Sequence, residues 1–160
     1  MVQQSGWTES EEIHLMKQDS QRSARVVGSA EGKVVPLVGV LKASAAHTGG
    51  SFEIIDYTGP ATPPPHIHRE HDEAFYVLRG RFTFTLGHEV FIADEGSTIL
   101  VPRGTRHGFT TDLDARALLI TVPAGLQGFF EELGDGLAAG RSSEEIRKTL
   151  AGRYDSMPTD

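Results

Sequence analysis

The chain carries the stretch GPATPPPHIHREHDEAFYVLRG at residues 59–80, and the interpretation of the fold starts from it. Three consecutive prolines stiffen the backbone that leads into His66 and His68. Because side chains alternate faces along an extended strand, these two histidines point the same way. Glu73 opens the next predicted strand, so a tight connection brings its carboxylate beside both imidazoles. The stretch therefore supplies three donor groups suited to a divalent metal ion.

A second stretch, GSTILVPRGTRHGFTT at residues 96–111, supplies a further imidazole from His107. The two stretches together predict a mononuclear site made by His66, His68, Glu73 and His107. Imidazole suits Fe, Ni, Cu and Zn, and the carboxylate makes Mn and Co acceptable too, so one divalent ion is expected without its element being specified. In the alternative, the histidines only hydrogen-bond one another, which is a costly way to bury polar groups.

Two further histidines lie close to the predicted ligands in sequence. His71 falls in the connection between the His66–His68 strand and the Glu73 strand, where a side chain pointing to solvent is the favoured interpretation. A role as a fifth ligand, or as a group that supports a ligand, is the alternative. His88 falls in a Gly-His turn and is not expected to bind the ion.

The same alternation predicts the wall of a substrate pocket. Phe75 and Val77 share the face of Glu73, whereas Tyr76 faces the opposite side. On the later strand, a second pair shares the face of His107. The predicted pocket residues are Phe75, Val77, Phe109 and Thr111.

The composition limits the class of protein. A chain of 160 residues is most simply one domain with a single hydrophobic core. Its net charge of −7 and the absence of any Lys/Arg run make nucleic acid and anionic membranes poor partners. There is no cysteine, so thiolate metal sites and disulfides are excluded. The first residues lack the basic start and apolar run of a signal peptide, and a cytoplasmic location is expected.

The chain divides into three predicted segments. Residues 1–33 form a polar arm with an optional short helix around residues 9–17. Residues 34–123 contain short, β-branched and apolar runs separated by Gly and Pro turns, which predict a β-barrel. Residues 124–160 switch to helical spacing and predict two short helices. These helices could cover the barrel mouth or a dimer surface, but packing outside the sheet is favoured.

The sequence also predicts a hairpin at the start of the β segment and a capping box in the last segment. The run VVPLVGVLKAS at residues 34–44 predicts one strand that starts at a sheet edge, because Pro36 cannot donate to a ladder. A Gly-Gly turn then leads into a second strand, which predicts a hairpin. In the last segment, Ser142 and Glu145 form the pattern of a capping box at a helix start.

Taken together, the two stretches resemble the paired motifs of the cupin superfamily. The matching positions are Gly59, His66, His68, Glu73 and Gly80 in the first motif, and Gly96, Pro102, Gly104 and His107 in the second. The first motif has one residue more than usual before His66, and Thr111 stands where the second typically has Asn. The resemblance implies an all-β cupin fold: a double-stranded β-helix, or jelly-roll barrel, with two short C-terminal helices after it.

Within the superfamily, the phrases DEAFYVLRG, VPRGTRHGF and GLQGFFEELG resemble small single-domain bacterial cupins of the quercetin 2,3-dioxygenase-like group. This implies a metal-dependent dioxygenase for a small oxygen-rich or aromatic substrate, such as a flavonol or an enolised ketone. Glu73 would be its catalytic residue and would take up the proton of a substrate hydroxyl. A metal-dependent isomerase and a non-catalytic small-ligand-binding cupin are the alternatives. The edge strand near Pro36 suggests a homodimer.

Overall fold

The computed structural model describes residues 24–159, and within that range eleven strands and three helices are present. The strands are β1 Lys33–Val35, β2 Gly39–Ala43, β3 Glu53–Thr58, β4 His66–Ile67, β5 Asp72–Arg79, β6 Phe82–Leu86, β7 Glu89–Ala93, β8 Thr98–Val101, β9 His107–Thr111, β10 Arg116–Val122 and β11 Met157–Pro158. The helices are α1 Ala45–Thr48, α2 Gln127–Ala138 and α3 Ser143–Leu150. Residues 1–23, which include most of the predicted arm and its optional helix, lie outside the described residues.

The strands form two antiparallel sheets that enclose one apolar core. The larger sheet has the order β1-β2-β3-β10-β5-β8, and the smaller has the order β11-β4-β9-β6-β7. Phe75 of the larger sheet contacts Phe84 and Phe109 of the smaller one, with ring centroids 5.0 and 5.4 Å apart. Tyr76, the next residue, is 44% exposed, as the predicted alternation requires. The jelly-roll architecture expected of a cupin is therefore confirmed.

Glycine turns connect these strands as predicted. Gly80 has a φ of 71° between β5 and β6, which lie in different sheets, so this turn carries the chain from one sheet to the other. Gly87 has a φ of 61° in the tight β6–β7 hairpin. The glycine turns thus separate three strands, β5, β6 and β7, between residues 72 and 93.

The first apolar run departs from its prediction. It forms two strands, β1 and β2, which pair with each other as a hairpin instead of continuing as one. The chain reverses at Pro36 and Leu37, where Leu37 has a φ of 57° and the N–H of Val38 donates to the carbonyl of Val35 at 3.1 Å. The predicted hairpin is confirmed, because β2 pairs with β3. The four-residue helix α1 precedes its Gly-Gly turn.

The two C-terminal helices form where the apolar spacing predicts them. Helix α3 begins with the predicted capping box, in which Ser142 Oγ accepts from the N–H of Glu145 and the Glu145 carboxylate accepts from the N–H of Ser142, both at 3.2 Å. Helix α2 contains Gly134, where a Cβ atom would lie 2.6 Å from the carbonyl oxygen of Pro36. That glycine weakens the helix but allows it to lie against the β1–β2 turn. No helix among the described residues is long and apolar enough to span a membrane.

The end of the chain adds a strand that the sequence did not predict. Strand β11 pairs with β4, so Met157 lies opposite Ile67 and Pro158 opposite His66. Strand β11 thus lies at the edge of the smaller sheet, whereas the apolar strand β10 lies in the middle of the larger sheet, between β3 and β5. The C-terminal segment therefore reaches the strand that carries the first predicted ligand.

Candidate metal centre

The structure brings the four predicted ligands together at one end of the two sheets. His66 lies opposite His107 in the β4–β9 pair, and their ring centroids are 4.2 Å apart. His68 follows β4 directly, and Glu73 lies near the start of β5. All four side chains are buried, and one ligand atom from each lies within 4.8 Å of the others. Such a cluster could hold one metal ion.

Backbone carbonyls orient each of the three imidazole rings. The Nδ1 atom of His66 lies 2.9 Å from the carbonyl oxygen of Pro64, and that of His107 lies 2.9 Å from the carbonyl oxygen of Thr105. The Nδ1 atom of His68 pairs with the carbonyl oxygen of Asp155. Because a carbonyl can only accept, Nδ1 donates in each ring, and Nε2 is the atom that remains to bind a metal ion.

The resulting arrangement fits a cation placed between the rings and the carboxylate. The Nε2 atom of His107 lies 3.1 Å from Glu73 Oε2, and the Nε2 atom of His68 lies 3.4 Å from Glu73 Oε1. The His68 nitrogen is fully buried and has no hydrogen-bond partner among the described residues. When both rings are neutral, the lone pairs on Nε2 and on the carboxylate oxygens repel one another, and a divalent ion between them would remove this repulsion. The donor set therefore suits a borderline divalent ion.

Burial and mutual attraction shift the pKa values within the cluster. Burial lowers the pKa of His66 to about 3, with repulsion from His107 adding to the effect, so the ring is neutral at ordinary pH. Burial alone would raise the pKa of Glu73, but attraction to His68 and the hydrogen bond with His107 outweigh it and hold the pKa well below its usual range. The carboxylate is therefore ionised, which is the form that binds a metal ion. Burial alone would lower the pKa of His68, but attraction to Glu73 outweighs it and raises that pKa, so His68 must give up any proton on Nε2 when it binds an ion.

Asp155 holds the loop between His68 and Glu73. Its carboxylate accepts hydrogen bonds from the backbone N–H groups of Arg69 and Glu70, each at 2.7 Å, and from that of His71 at 3.0 Å. It also pairs with the His71 ring, at 2.7 Å from Nδ1, and its own carbonyl orients His68. No local pattern in the sequence pointed to Asp155, because it follows the last helix and reaches this loop only through the tertiary fold.

The prediction that His71 points to solvent is wrong. The side chain is buried, with 7% of its surface exposed, because Asp155 covers it. The ring is also not part of the group of donors that converges on His66 and His107. Of the interpretations considered for this residue, support of a neighbouring ligand through the loop agrees best with the contacts.

The cluster borders a cavity of about 180 Å³ that passes between the two sheets and the C-terminal helices. Phe75 and Phe109 line it, as the alternation predicted. Val77 and Thr111 do not: Val77 is fully buried in the core, and the Thr111 hydroxyl accepts from the N–H of Ala61 at 3.0 Å. Alternation identifies the face of a strand but not the depth at which a residue meets the cavity.

Helices α2 and α3 form part of the cavity wall. Phe129, Phe130 and Leu133 of α2 line it, together with Arg147 of α3. The favoured prediction, packing on the outside of the sheet, is therefore incomplete, because α2 packs against the β1–β2 turn and both helices also line the cavity. Helical spacing shows that an apolar face exists, and only the tertiary structure shows which surface that face covers.

Comparison with known proteins agrees with this architecture. Residues 54–123 match the family model described as a cupin domain. A crystal structure of a protein from Planctomyces limnophilus is similar with a TM-score of 0.56 and 20% identity, covering 68% of this chain and 96% of that one. The matched segment is similar to a cupin domain, and the two antiparallel sheets have the barrel fold expected of one.

Two further solved structures are similar over a smaller part of the chain. KdgF from Halomonas sp. has a TM-score of 0.46 and 23% identity, covering 53% of this chain and 76% of its own. Pac13 from Streptomyces, described as a nucleoside dehydratase, has a TM-score of 0.44 and 21% identity, covering 48% and 62% respectively. No curated protein matches the sequence. At these identities the similarity concerns the fold.

Proposed function

We propose that this protein is a mononuclear metal-binding cupin of the dioxygenase type, acting on a small oxygen-rich or aromatic substrate such as a flavonol or an enolised ketone. The convergence of three oriented imidazoles and one ionised carboxylate supports this proposal most directly, because His66, His68 and Glu73 of this cluster line the cavity. Four protein ligands leave open positions on an octahedral ion. A bound ion of this kind acts as a Lewis acid and as a template for an oxygen-containing substrate and O2.

The residues around the centre have distinct tasks in this proposal. Phe75 and Phe109 hold a flat substrate against the ligand cluster, since both rings line the cavity. Glu73 is the carboxylate that borders the same cavity, and it accepts the proton of a substrate hydroxyl at one carboxylate oxygen. Its lowered pKa makes Glu73 a weak base, so it would take the proton only from an acidic hydroxyl, and a bound ion would supply that acidity.

Removing two ligands tests the centre itself. Elemental analysis should find about one divalent ion per chain in protein purified without added metal, and His66→Ala with His107→Ala should abolish it. His88→Ala is the matched control, because His88 is exposed in the β6–β7 turn and should leave the metal content unchanged. Full metal content in the double variant would place the ion elsewhere and remove the proposal.

Oxygen consumption separates the enzyme classes. Metal-loaded protein is incubated in air with quercetin-type flavonols and 1,2-diketones, and product formation is compared with that of the free metal ion. Consumption of O2 together with product above this background supports a dioxygenase. Substrate turnover without O2 consumption would instead indicate a metal-dependent isomerase, and binding without turnover a ligand-binding cupin.

We also propose that two copies of the chain associate through the β1 edge. Strand β1 lies at one edge of the larger sheet; Val34 within it and Leu37 after it are 70% and 69% exposed. An exposed edge with apolar side chains favours pairing with a second copy. Light scattering should give the mass of a dimer, and Val34→Lys should shift it towards a monomer. A wild-type mass equal to a single chain would contradict the pairing.

A further inference from the structure

Arg147 is a charged side chain buried in the wall of the cavity that borders the metal centre. Only 6% of the residue is exposed, and it lines the cavity together with Glu73 and Phe129. Its Nε lies 3.3 Å from Ser143 Oγ, and its Nη1 lies 3.4 Å from Ser156 Oγ. Both contacts are long and involve neutral hydroxyls, so neither compensates the positive charge.

No carboxylate among residues 24–159 lies within ion-pair distance of this guanidinium. Several exposed arginines, in contrast, each have an acidic partner, namely Arg79, Arg81, Arg103, Arg116 and Arg153. Burying a charge without a counter-charge is costly, and exposed pairs contribute little. Burial lowers the pKa of Arg147 to about 10, which still leaves the side chain charged at neutral pH. The buried arginine is thus the one whose charge most needs a partner.

A second polar group lies in the same cavity wall. Tyr57 is buried there, and its hydroxyl has no hydrogen-bond partner within the described part of the chain. Burial raises the pKa of the Tyr57 hydroxyl above its ordinary value, so it remains protonated and can donate. The Phe129 ring completes this part of the wall, with its centroid 5.1 Å from the Arg147 guanidinium carbon.

We propose that Arg147 binds a carboxylate of the substrate, so that the cavity takes a small carboxylic acid with a 2-oxo or enolisable carbonyl group. The planar guanidinium matches a carboxylate in shape and can bind both of its oxygens. Tyr57 donates to an oxygen of the same ligand. The volume of about 180 Å³ is below the roughly 300–1,000 Å³ typical of clefts for drug-sized ligands, which favours a compact acid over a flavonol.

This inference narrows the substrate class and rests on the proposed function in one respect only. The carbonyl or enol oxygen of the acid is assigned to the metal centre, whereas the carboxylate is assigned to Arg147. The second assignment needs no ion, so it can be tested in protein stripped of metal. Failure of the metal proposal and failure of this one are therefore distinguishable.

Calorimetric titration with pyruvate and with butane-2,3-dione tests the assignment. The two molecules have the same number of non-hydrogen atoms, but only pyruvate carries a carboxylate. Metal-free and metal-loaded wild-type protein should both bind pyruvate at least about tenfold more tightly than the dione. Arg147→Gln should remove this preference without weakening dione binding. Arg141→Gln, the same charge change at an exposed position before α3, should leave both affinities unchanged.

Each outcome of these titrations supports or overturns the binding of a carboxylate by Arg147. Equal affinities for pyruvate and dione in wild-type protein overturn it, and this comparison is valid even if the Arg147→Gln variant does not fold. A preference for pyruvate that survives in folded Arg147→Gln also overturns it. Inorganic phosphate that binds more tightly than pyruvate would assign the site to a phosphate ligand instead. A retained preference in protein that never binds metal would support the inference while removing the dioxygenase proposal.

Discussion

Replacing Asp155 by Asn should weaken the metal centre although Asp155 is not a ligand. The aspartate carboxylate accepts four hydrogen bonds from three consecutive residues of the loop that joins His68 to Glu73. Asparagine has the same shape but offers one acceptor oxygen, and its amide nitrogen is itself a donor. In Asp155→Asn, at least one loop N–H therefore faces a donor, and the remaining bonds lose their charge assistance.

The size of the effect follows from these contacts. Hydrogen bonds to a charged group contribute about 1.5–3 kcal/mol each, and those to a neutral group about 0.5–1.5 kcal/mol. Three bonds that each weaken by about 1 kcal/mol and one unpaired donor that costs about 1–3 kcal/mol together give a loss of about 4–6 kcal/mol in the free energy of unfolding. The Asp155 side chain is only 10% exposed, so solvent replaces little of this loss. Because the backbone carbonyl of Asp155 orients the His68 ring, a displacement of Asp155 by these weakened contacts should lower metal affinity by about 10–100-fold.

Urea unfolding measures the first quantity, and competition with a chelator measures the second. Asp94→Asn is the matched control, because Asp94 forms an exposed ion pair with Arg81 at 2.6 Å, far along the chain from the ligands. It should cost less than about 1 kcal/mol and leave metal affinity unchanged. Wild-type metal affinity in a folded Asp155→Asn protein would refute the role of Asp155 in orienting the ligands.

Two further predictions concern the packing of α2 and an ion pair of the larger sheet. Gly134→Ala should destabilise the protein by about 1–3 kcal/mol in urea unfolding, because the new methyl group meets the carbonyl oxygen of Pro36. A gain in stability would show that the higher helix propensity of alanine outweighs this steric contact. Asp56→Asn tests the hydrogen-bonded pair with Arg116, which lowers the pKa of Asp56. A lowered carboxyl pKa stabilises the fold above about pH 4 and stops doing so as the pH falls through the folded-state value. The free energy of unfolding of the variant should therefore fall by about 1 kcal/mol at pH 7, a modest loss because Arg116 is half exposed, and by less at pH 3. An equal loss at both pH values would contradict this reasoning.

Much of the candidate metal centre could be predicted from the sequence, because its signals are local. Alternation along a strand places His66 and His68 on one face, and glycine and proline turns mark where the neighbouring strands begin. The same rules correctly placed Phe75 and Phe109 beside the ligands. They placed the β1–β2 run wrongly, because a hairpin that turns at Pro36 and Leu37 carries the same apolar pattern as one longer strand.

The contributions of the C-terminal segment to the cavity and to the ligand loop were decided only by the tertiary structure. Asp155 is 84 residues away from His71 along the chain, and nothing in its immediate sequence indicates that it binds that loop. Arg147 looks like an ordinary charged residue of a short amphipathic helix, yet the fold buries it in the cavity wall. Spacing along the chain thus determined which ligands share a face. Packing between distant segments determined what surrounds them, because burial and charge pairing depend on contacts that no local pattern encodes.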